Sequence, residues 1–174
     1  MLTHLPFDSV ARRAPTEDEP VTVNLRSPPT DIVVPWHSHE WAQLAYPLRG
    51  GIRISAAGMT WLVPALRAVW IPPYIEHEVV MLGDVELRTV YVAAEVAPLP
   101  ADVCTVVEVS ELMRALIESL SESGAAEPPD TRRRDLMIAL LLEEMRSAPP
   151  LSLGLPLPTD RRRSEERRVG KECS

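Results

Sequence analysis

The 174-residue sequence contains no apolar run approaching the roughly 20 residues that an α-helix needs to cross a bilayer. Its N-terminus also lacks the basic start followed by an apolar stretch that marks a secretory signal. Two cysteines, Cys104 and Cys173, lie too far apart for a CxxC metal clip and are too few for a disulfide framework. These absences predict a cytoplasmic protein without a membrane segment.

Positive charge is in deficit. The chain has 18 Lys and Arg residues against 25 Asp and Glu residues, which gives a formal net charge of −7. Because nucleic-acid surfaces rely on clustered Lys and Arg side chains, we do not expect this chain to bind DNA by itself. A hydrophobic share of 45% is ordinary for a soluble protein, and the length suits one domain with a real core.

Lysine is almost absent. Arginine occurs 17 times, whereas the only lysine, Lys171, stands in "RSEERRVGKEC" near the C-terminus. This string resembles the translation of a widely used short-read sequencing adaptor, so we predict that residues 163–174 are a non-native tail. The string carries four basic and three acidic residues, and its removal changes the net charge from −7 to −8. The alternative is a genuine charged, disordered tail.

The segment from Val21 to Ala94 has the pattern of a β-protein. Short runs rich in Val, Ile, Leu, Trp and Tyr alternate with turn residues, and no helix fits between them. The breaks are at Pro28-Pro29, Arg49-Gly50-Gly51, Ala57-Gly58, Pro64, Pro72-Pro73 and Gly83-Asp84. With one more short strand in "CTVVEV", residues 21–109 are predicted to form an antiparallel sandwich or barrel. The polar residues 1–20 predict a flexible N-terminal arm.

After Ser110 the apolar period changes to that of an α-helix. Ser110 is a suitable N-cap for a first helix, and Asp130 can cap a second one. The second helix carries an apolar stripe made of Leu136, Met137, Leu140, Leu141 and Met145. Residues 110–148 are therefore predicted to form two C-terminal α-helices.

The stripe on the second helix is wider than packing on one neighbour requires, because Ile138 and Leu142 extend it. We therefore expect the five stripe residues to form the interface of a homodimer. Burial of the helix within a monomer is the alternative. The Pro-rich residues 149–162 are predicted to be a linker that leads to a further domain.

Three of the four histidines form a candidate metal site. His37 and His39 alternate in "PWHSHEWAQ", so they share one face of a strand, and Gln43 joins that face if the strand continues without a bulge. His77 follows the turn "IPPYIEH", and a barrel can bring its ring beside the first two. Three imidazoles with an amide oxygen suit a divalent transition metal such as zinc, nickel, iron or copper. The alternatives are hydrogen-bonded barrel-interior residues without a metal, or direct contacts to an organic effector.

Aromatic side chains predict a pocket beside these histidines. Trp41 shares the face of the histidines by parity, and three further rings lie on neighbouring strands. We expect a small-molecule effector to contact Trp41, Tyr46, Trp70 and Tyr91, with core packing as the alternative role. Three acidic residues flank the histidines but point to the opposite face of regular strands, and we expect them to be solvated: Glu40, Glu76 and Glu78.

The two histidine segments resemble the two motifs of cupins. "HSHEWAQLAYPLRGG" and "WIPPYIEH" look like the HxH motif and the later histidine motif that bind a metal inside a small barrel. The resemblance implies a double-stranded β-helix, or jelly roll. Two departures are evident, since Gln43 stands where the family usually has an acidic ligand and Tyr74 stands where the second motif has a glycine. The loss of the carboxylate charge should lower metal affinity.

The order of arm, barrel, two helices and Pro-rich exit further resembles the N-terminal sensing and dimerisation domain of AraC-type transcription regulators. The resemblance covers roughly residues 20–162 and implies a cupin-like barrel that binds an effector. In that family a helix-turn-helix domain follows, and DNA would be bound only through that domain, which we expect this chain to lack.

Three functional classes are compatible with the sequence. The first is the effector-binding and dimerisation domain of an AraC-type regulator, truncated before its DNA-binding domain. The second is a free-standing metal-dependent cupin enzyme, such as a dioxygenase or isomerase. The third is a non-catalytic binding or oligomerisation module. The two helices and the linker favour the first, and we see no convincing acid or base for catalysis inside the barrel apart from the candidate ligands.

Overall fold

The computed structural model describes residues 3–4, 13–27, 32–122, 131–152 and 154–156. In these ranges the chain forms ten β-strands and two α-helices. The strands are β1 (Thr3–His4), β2 (Val21–Arg26), β3 (Ile32–His37), β4 (Ala42–Ala56), β5 (Met59–Pro64), β6 (Arg67–Ile71), β7 (His77–Val92), β8 (Thr105–Glu108), β9 (Pro150–Leu151) and β10 (Gly154–Pro156). The helices are α1 (Glu111–Glu122) and α2 (Thr131–Ser147), and a 3₁₀ turn spans Ala94–Val96. The predicted tail at 163–174 and part of the predicted arm lie outside the described residues.

Two long antiparallel strands, β4 and β7, organise the sheet. They pair from Ala42–Val92 at one end to Ala56–His77 at the other. At the first end β2 adds to β7 and β6 adds to β4, and at the second end β3 adds to β7 and β5 adds to β4. β8 and β9 extend the sheet beyond β6, while β1 lies beside β3 and β10 lies beside β5. Each long strand therefore belongs to two layers.

The change of layer occurs at a bend near Gly50. The β4–β7 register shifts between Pro47 and Arg49 and again between Arg49 and Gly51. Gly50 has a φ of +73°, and a Cβ atom there would lie 2.6 Å from the backbone oxygen of Asp84. Only glycine fits this combination of left-handed backbone and close approach. The bend folds one half of the β4–β7 ribbon over the other.

Two apolar clusters hold the layers and the helices together. Between the layers, side chains from both halves of the ribbon form the barrel interior: Ile32, Val34, Ala45, Ile52, Ile54, Trp61, Val63, Val69, Ile71, Val79, Met81, Leu87 and Val106. The outer face of one layer packs against the helices through a second cluster: Val21, Val23, Leu44, Tyr46, Trp70, Val90, Met113, Ile117, Leu120, Leu141 and Met145. The fold confirms the predicted antiparallel β-barrel followed by two α-helices.

The helices begin close to where the sequence pattern places them. The hydroxyl of Ser110 accepts a hydrogen bond from the Met113 backbone N–H at 2.9 Å, which is the predicted N-cap. The same hydroxyl donates to Glu144 Oε2 at 2.5 Å and so ties the start of α1 to α2. Asp130, the predicted cap of the second helix, lies outside the described residues. Neither described helix is long and apolar enough to cross a membrane.

The segment predicted as a linker is partly integrated into the sheet. Within residues 149–162, β9 pairs with β8 and β10 pairs with β5. The proline content suggested a free linker, but short edge strands tolerate proline because one side of the strand needs no ladder hydrogen bond. The described part of this segment therefore lies across both layers instead of leaving the domain.

The role of Gly50 in the bend can be tested by its effect on the stability of the protein. Gly50→Ala should lower the free energy of unfolding by about 3 kcal/mol, because the new methyl group clashes with the Asp84 carbonyl on a left-handed backbone. Gly58 is the matched control, since it also has a positive φ (+75°) but faces open space. Gly58→Ala should cost only about 1 kcal/mol. Urea unfolding of both variants measures the difference, and equal losses would contradict the packing role of the bend.

Candidate metal centre

Three histidines from separate segments meet at one end of the barrel. His37 ends β3 and pairs in register with His77, the first residue of β7, while His39 lies in the loop between β3 and β4. The ring centroids of His37 and His77 are 4.2 Å apart, and those of His39 and His77 are 5.1 Å apart. One ring nitrogen from each histidine lies within 4.8 Å of the other two. The structure thus brings together the three histidines that the sequence singles out.

Gln43 also reaches this cluster, although the strand that was expected to carry it there is interrupted. β3 ends at His37 and β4 begins at Ala42, so the residues between them form a loop. His39 Nε2 nevertheless lies 3.0 Å from Gln43 Oε1. Two ligands at 90° around an ion about 2.1 Å away are about 3 Å apart, so this spacing is compatible with a shared metal.

Backbone carbonyl groups orient all three imidazoles. The Nδ1 atoms of His37, His39 and His77 lie 2.7, 2.6 and 2.8 Å from the carbonyl oxygens of Pro35, Trp41 and Ile75, respectively. A carbonyl oxygen can only accept, so each Nδ1 carries a proton, and in the neutral rings of His37 and His77 the lone pair is on Nε2. His39 Nε2 is at hydrogen-bond distance from the Gln43 amide and carries its lone pair in the same way when the amide presents its NH₂ group to it. Metal-binding histidines commonly have this second hydrogen bond, which sets the tautomer and the ring orientation.

His77 provides the test of whether these residues fit a metal. Its side chain is fully buried, and its Nε2 has no hydrogen-bond partner among the described residues. A buried acceptor without a partner costs about 1–3 kcal/mol, so such an atom calls for an explanation. A cation between the three rings would give this nitrogen a partner, so the residues present fit a metal ion.

The surroundings keep the imidazoles neutral. The pKa of His77 is lowered to about 3, mainly by burial and additionally by the neighbouring His37. Burial also lowers the pKa of His37 and of His39, against hydrogen bonds that raise both values. Neutral imidazole is the form that binds metal, so these surroundings favour the metal-binding form of the three rings near neutral pH.

The four predicted effector-pocket residues divide into two groups. Trp41 stacks in parallel on His39 at a centroid distance of 5.0 Å, and Tyr91 lies 5.7 Å from Trp41 and 6.1 Å from His39. Tyr46 and Trp70 instead point to the outer face, where they pack under the helices. Their placement in a pocket with the histidines is therefore wrong, because residues on β4 and β6 at these positions alternate to the helix side of the layer.

The predicted dimer stripe divides in the same way. Leu141 and Met145 are fully buried in the cluster between helices and barrel, and Met137 packs against that cluster. Leu141 and Met145 therefore cannot form an intermolecular interface, because other parts of the same chain cover them. Leu136 and Leu140 remain exposed, by 63% and 44%.

Two of the three acidic residues beside the histidines are exposed, as expected. Glu40 and Glu76 are exposed, and Glu78 is half-buried. None of the three lines the barrel cavity around His37, whose described lining is Arg26, Val34, His37, Gln43, Val79, Met81, Leu87, Thr89 and Tyr91. The interior of the site therefore offers imidazole, amide, hydroxyl and guanidinium groups instead of carboxylates.

A second cavity beside the histidines was not predicted. It lies at the mouth of the barrel and is lined by Pro15, Thr16, Glu17, Pro20, Glu40, Trp41, Tyr74, Ala93, Ala94, Glu95 and Val96. We call it the mouth pocket. The sequence contained one indication of it, Tyr74, which replaces the glycine of the second cupin-like motif.

The buried imidazoles predict a loss of stability in mild acid. The three histidines have pKa values below the ordinary 6.5, so the unfolded chain binds more protons as the pH falls from 6.5 towards 3. Their contribution is fully present above pH 6.5 and is lost below it; for the fully buried His77 the loss approaches about 1.4 kcal/mol per pH unit. Urea unfolding of metal-free protein between pH 6.5 and 5, above the range of ordinary carboxylates, measures the slope. His77→Gln should flatten it, and an unchanged slope in this variant would contradict the prediction.

The family model described as the AraC-like ligand binding domain matches residues 21–142. The HTH-type transcriptional regulator NimR of Escherichia coli (strain K12) is 31% identical over 129 residues, which are 73% of this chain and 46% of that protein. The chain therefore spans about half the length of the curated relative that it matches.

Two solved structures of ToxT from Vibrio cholerae share the architecture. An apo form has a TM-score of 0.54 at 8% identity, and the match covers 76% of this chain and 56% of the ToxT chain. A form bound to an unsaturated fatty acid has a TM-score of 0.51 at 8% identity, and the match covers 70% of this chain and 52% of the ToxT chain. At this identity the likeness shows the fold alone. The family match, by contrast, runs from the first residue of β2 into α2, and the chain belongs to the family of AraC-like ligand-binding domains.

Proposed function

We propose that this chain is the small-molecule-sensing and dimerising domain of an AraC-type transcription regulator, with a transition-metal centre in its barrel. Family membership supports the sensing role, and the convergence of three neutral imidazoles supports the metal centre. DNA would be contacted by a part of the regulator outside this chain, in agreement with the net charge of −7. We place the protein in the cytoplasm, where a regulator meets its DNA.

The ligand set proposed for the metal is His37, His39 and His77 through Nε2, with Gln43 through Oε1. Such a set suits zinc, nickel, iron or copper, and it carries no negative charge. A bound ion would supply positive charge and open coordination positions for oxygen or nitrogen atoms of an effector. The carbonyl groups that hold each Nδ1–H would keep the rings in place when the site is empty.

A free-standing cupin enzyme is the alternative function. A dioxygenase or isomerase would need an acid or base that faces the bound substrate. The described residues that line the barrel cavity include no carboxylate, and Glu40, Glu76 and Glu78 lie outside it. This arrangement favours a sensor over an enzyme.

Metal content tests the proposed centre. Protein purified without chelators or a metal-affinity tag should contain about one transition-metal ion per chain, measured by elemental analysis. His77→Ala should abolish this content, whereas His4→Ala in the predicted arm should leave it unchanged. Gln43→Glu should raise zinc affinity by at least roughly tenfold, because it restores a charged oxygen ligand. Wild-type protein without metal, or metal retained by His77→Ala, would contradict the proposal.

The exposed side of α2 supports dimerisation. Arg133, Leu136, Leu140 and Glu143 recur at helical spacing, so they follow one stripe along the helix. All four are exposed. Large exposed leucines that are flanked by opposite charges are typical of a contact between helices.

The order of these residues favours an antiparallel pair of α2 helices about a two-fold axis. If the axis passes residue 138, Leu136 of each copy faces Leu140 of the other, and Arg133 faces Glu143. Each contact then occurs twice, as two-fold symmetry requires. The apolar pairs lie near the axis and the charged pairs lie at the rim.

Charge reversal tests this arrangement. Arg133→Glu should weaken the dimer by roughly tenfold, because it places like charges at both symmetric contacts. The double variant R133E/E143R should restore the affinity, and sedimentation equilibrium measures both. Leu136→Glu should disrupt the dimer, whereas Leu112→Glu, at an exposed leucine of α1, should not. A wild-type monomer at high concentration would rule out the dimer, and a dimer insensitive to these changes would place its interface elsewhere.

A further inference from the structure

The mouth pocket has the dimensions of a small-molecule site. Its volume is about 630 Å³, within the usual range of roughly 300–1,000 Å³. Its walls come from the segment before β2, the loop between β3 and β4, the turn before β7 and the 3₁₀ turn after β7. Four separate parts of the chain therefore enclose one cavity beside the histidine cluster.

Tyr74 is an unusual residue for its position in this wall. Its φ is +63°, a left-handed conformation that costs a residue other than glycine about 1 kcal/mol or more. Its backbone N–H donates to the His39 carbonyl at 2.7 Å, an interaction that glycine would make equally well. The ring itself is 72% exposed, so burial does not offset the strain. The ring therefore stands largely exposed in the wall of the pocket, where it can contact a ligand.

Trp41 forms a second aromatic wall and is held firmly. Its indole stacks on His39 and contacts the edge of Tyr91. The indole N–H is buried, and it has no hydrogen-bond acceptor among the residues that the structure describes. Trp41 therefore links the pocket directly to a candidate metal ligand.

The charges around the pocket have one sign. Glu17, Glu40 and Glu95 line it, and its described lining includes no basic side chain. In the described part of the chain none of the three carboxylates belongs to an ion pair; the neighbouring Glu19, by contrast, binds both Arg13 and Arg134. Aromatic rings and carboxylates in one cavity favour a cation, because the ring faces and the carboxylates both attract positive charge.

We propose that the mouth pocket binds a small organic cation, which contacts the rings of Trp41 and Tyr74 and is neutralised by Glu17, Glu40 and Glu95. The proposal rests on the proposed sensing function only in treating this cation as the effector. Its binding next to Trp41 would bring the ligand to the indole that stacks on His39.

Calorimetric titration with a matched pair of probes tests the ligand class. Choline carries a trimethylammonium group, and 3,3-dimethylbutan-1-ol has the same shape without the charge. Choline should bind at least about tenfold more tightly than the neutral alcohol, and added salt should weaken its binding. Equal binding of both probes, or no charge-dependent heat from either, would overturn the proposal.

Variants locate the binding site. Tyr74→Gly should weaken choline binding by about fivefold while the protein stays folded, because glycine relieves the backbone strain and keeps the N–H donor. The double variant E40Q/E95Q should weaken it by about tenfold through the loss of two charges. Asp102→Asn removes an exposed charge outside the pocket and should have no effect. Unchanged choline affinity in Tyr74→Gly and E40Q/E95Q would place the cation elsewhere and overturn the proposal.

The sensing role is measured separately. Sedimentation with and without choline reports whether the ligand alters the dimer equilibrium. Charge-selective binding in the mouth pocket without such an effect would confirm the ligand class and contradict the sensing role. A dimer that responds equally to the neutral alcohol would contradict the ligand class and leave sensing intact.

Discussion

The site depends on the antiparallel pairing of β4 with β7 and on the bend that folds this ribbon over itself. Gln43 pairs with Tyr91 at one end of the ribbon, and His77 pairs with Ala56 at the other. The two pairs are separated by thirteen residues of β4, or about 43 Å of extended strand. They nevertheless contribute to one cluster, because the layers reverse at Gly50. The chemistry at the mouth of the barrel is thus a consequence of backbone geometry in its middle.

The same backbone orients the imidazole rings of the histidine cluster. Carbonyl groups hold each Nδ1–H, burial lowers the pKa of the rings, and one nitrogen of each ring lies within 4.8 Å of the other two. No carboxylate of the described lining offsets positive charge inside the barrel, whereas three carboxylates surround the mouth pocket just outside it. Trp41 lies between the two regions and touches both. This division separates an interior without carboxylates, lined by imidazole, amide and guanidinium groups, from an acidic, aromatic entrance, and it suits the proposed sensor with two kinds of contact to its ligand.

Much of this organisation could be predicted from residue patterns. The spacing of the histidines identified the residues that come together, although His39 lies in a loop, and helical spacing identified both helices. The pattern failed where an apolar side chain had two possible neighbours. Tyr46 and Leu141 are apolar on strands and helices that have more than one buried side, so periodicity could not say that both face the cluster between barrel and helices. The exposed pair Leu136 and Leu140 differs from Leu141 only in the direction of its side chains.

The sequence by itself determined the class of fold, the three histidines and the amide near them, because alternation, turn residues and helical period are local properties of the chain. Only the tertiary structure decided which aromatic rings meet those histidines, which leucines stay exposed, and that a second cavity opens beside them. These features depend on how the layers fold over at the bend and on where the helices pack. Tyr74 is an example. The sequence gives the residue, but only the tertiary structure shows that its backbone is strained, that its side chain is exposed and that it lines a pocket with three other segments of the chain.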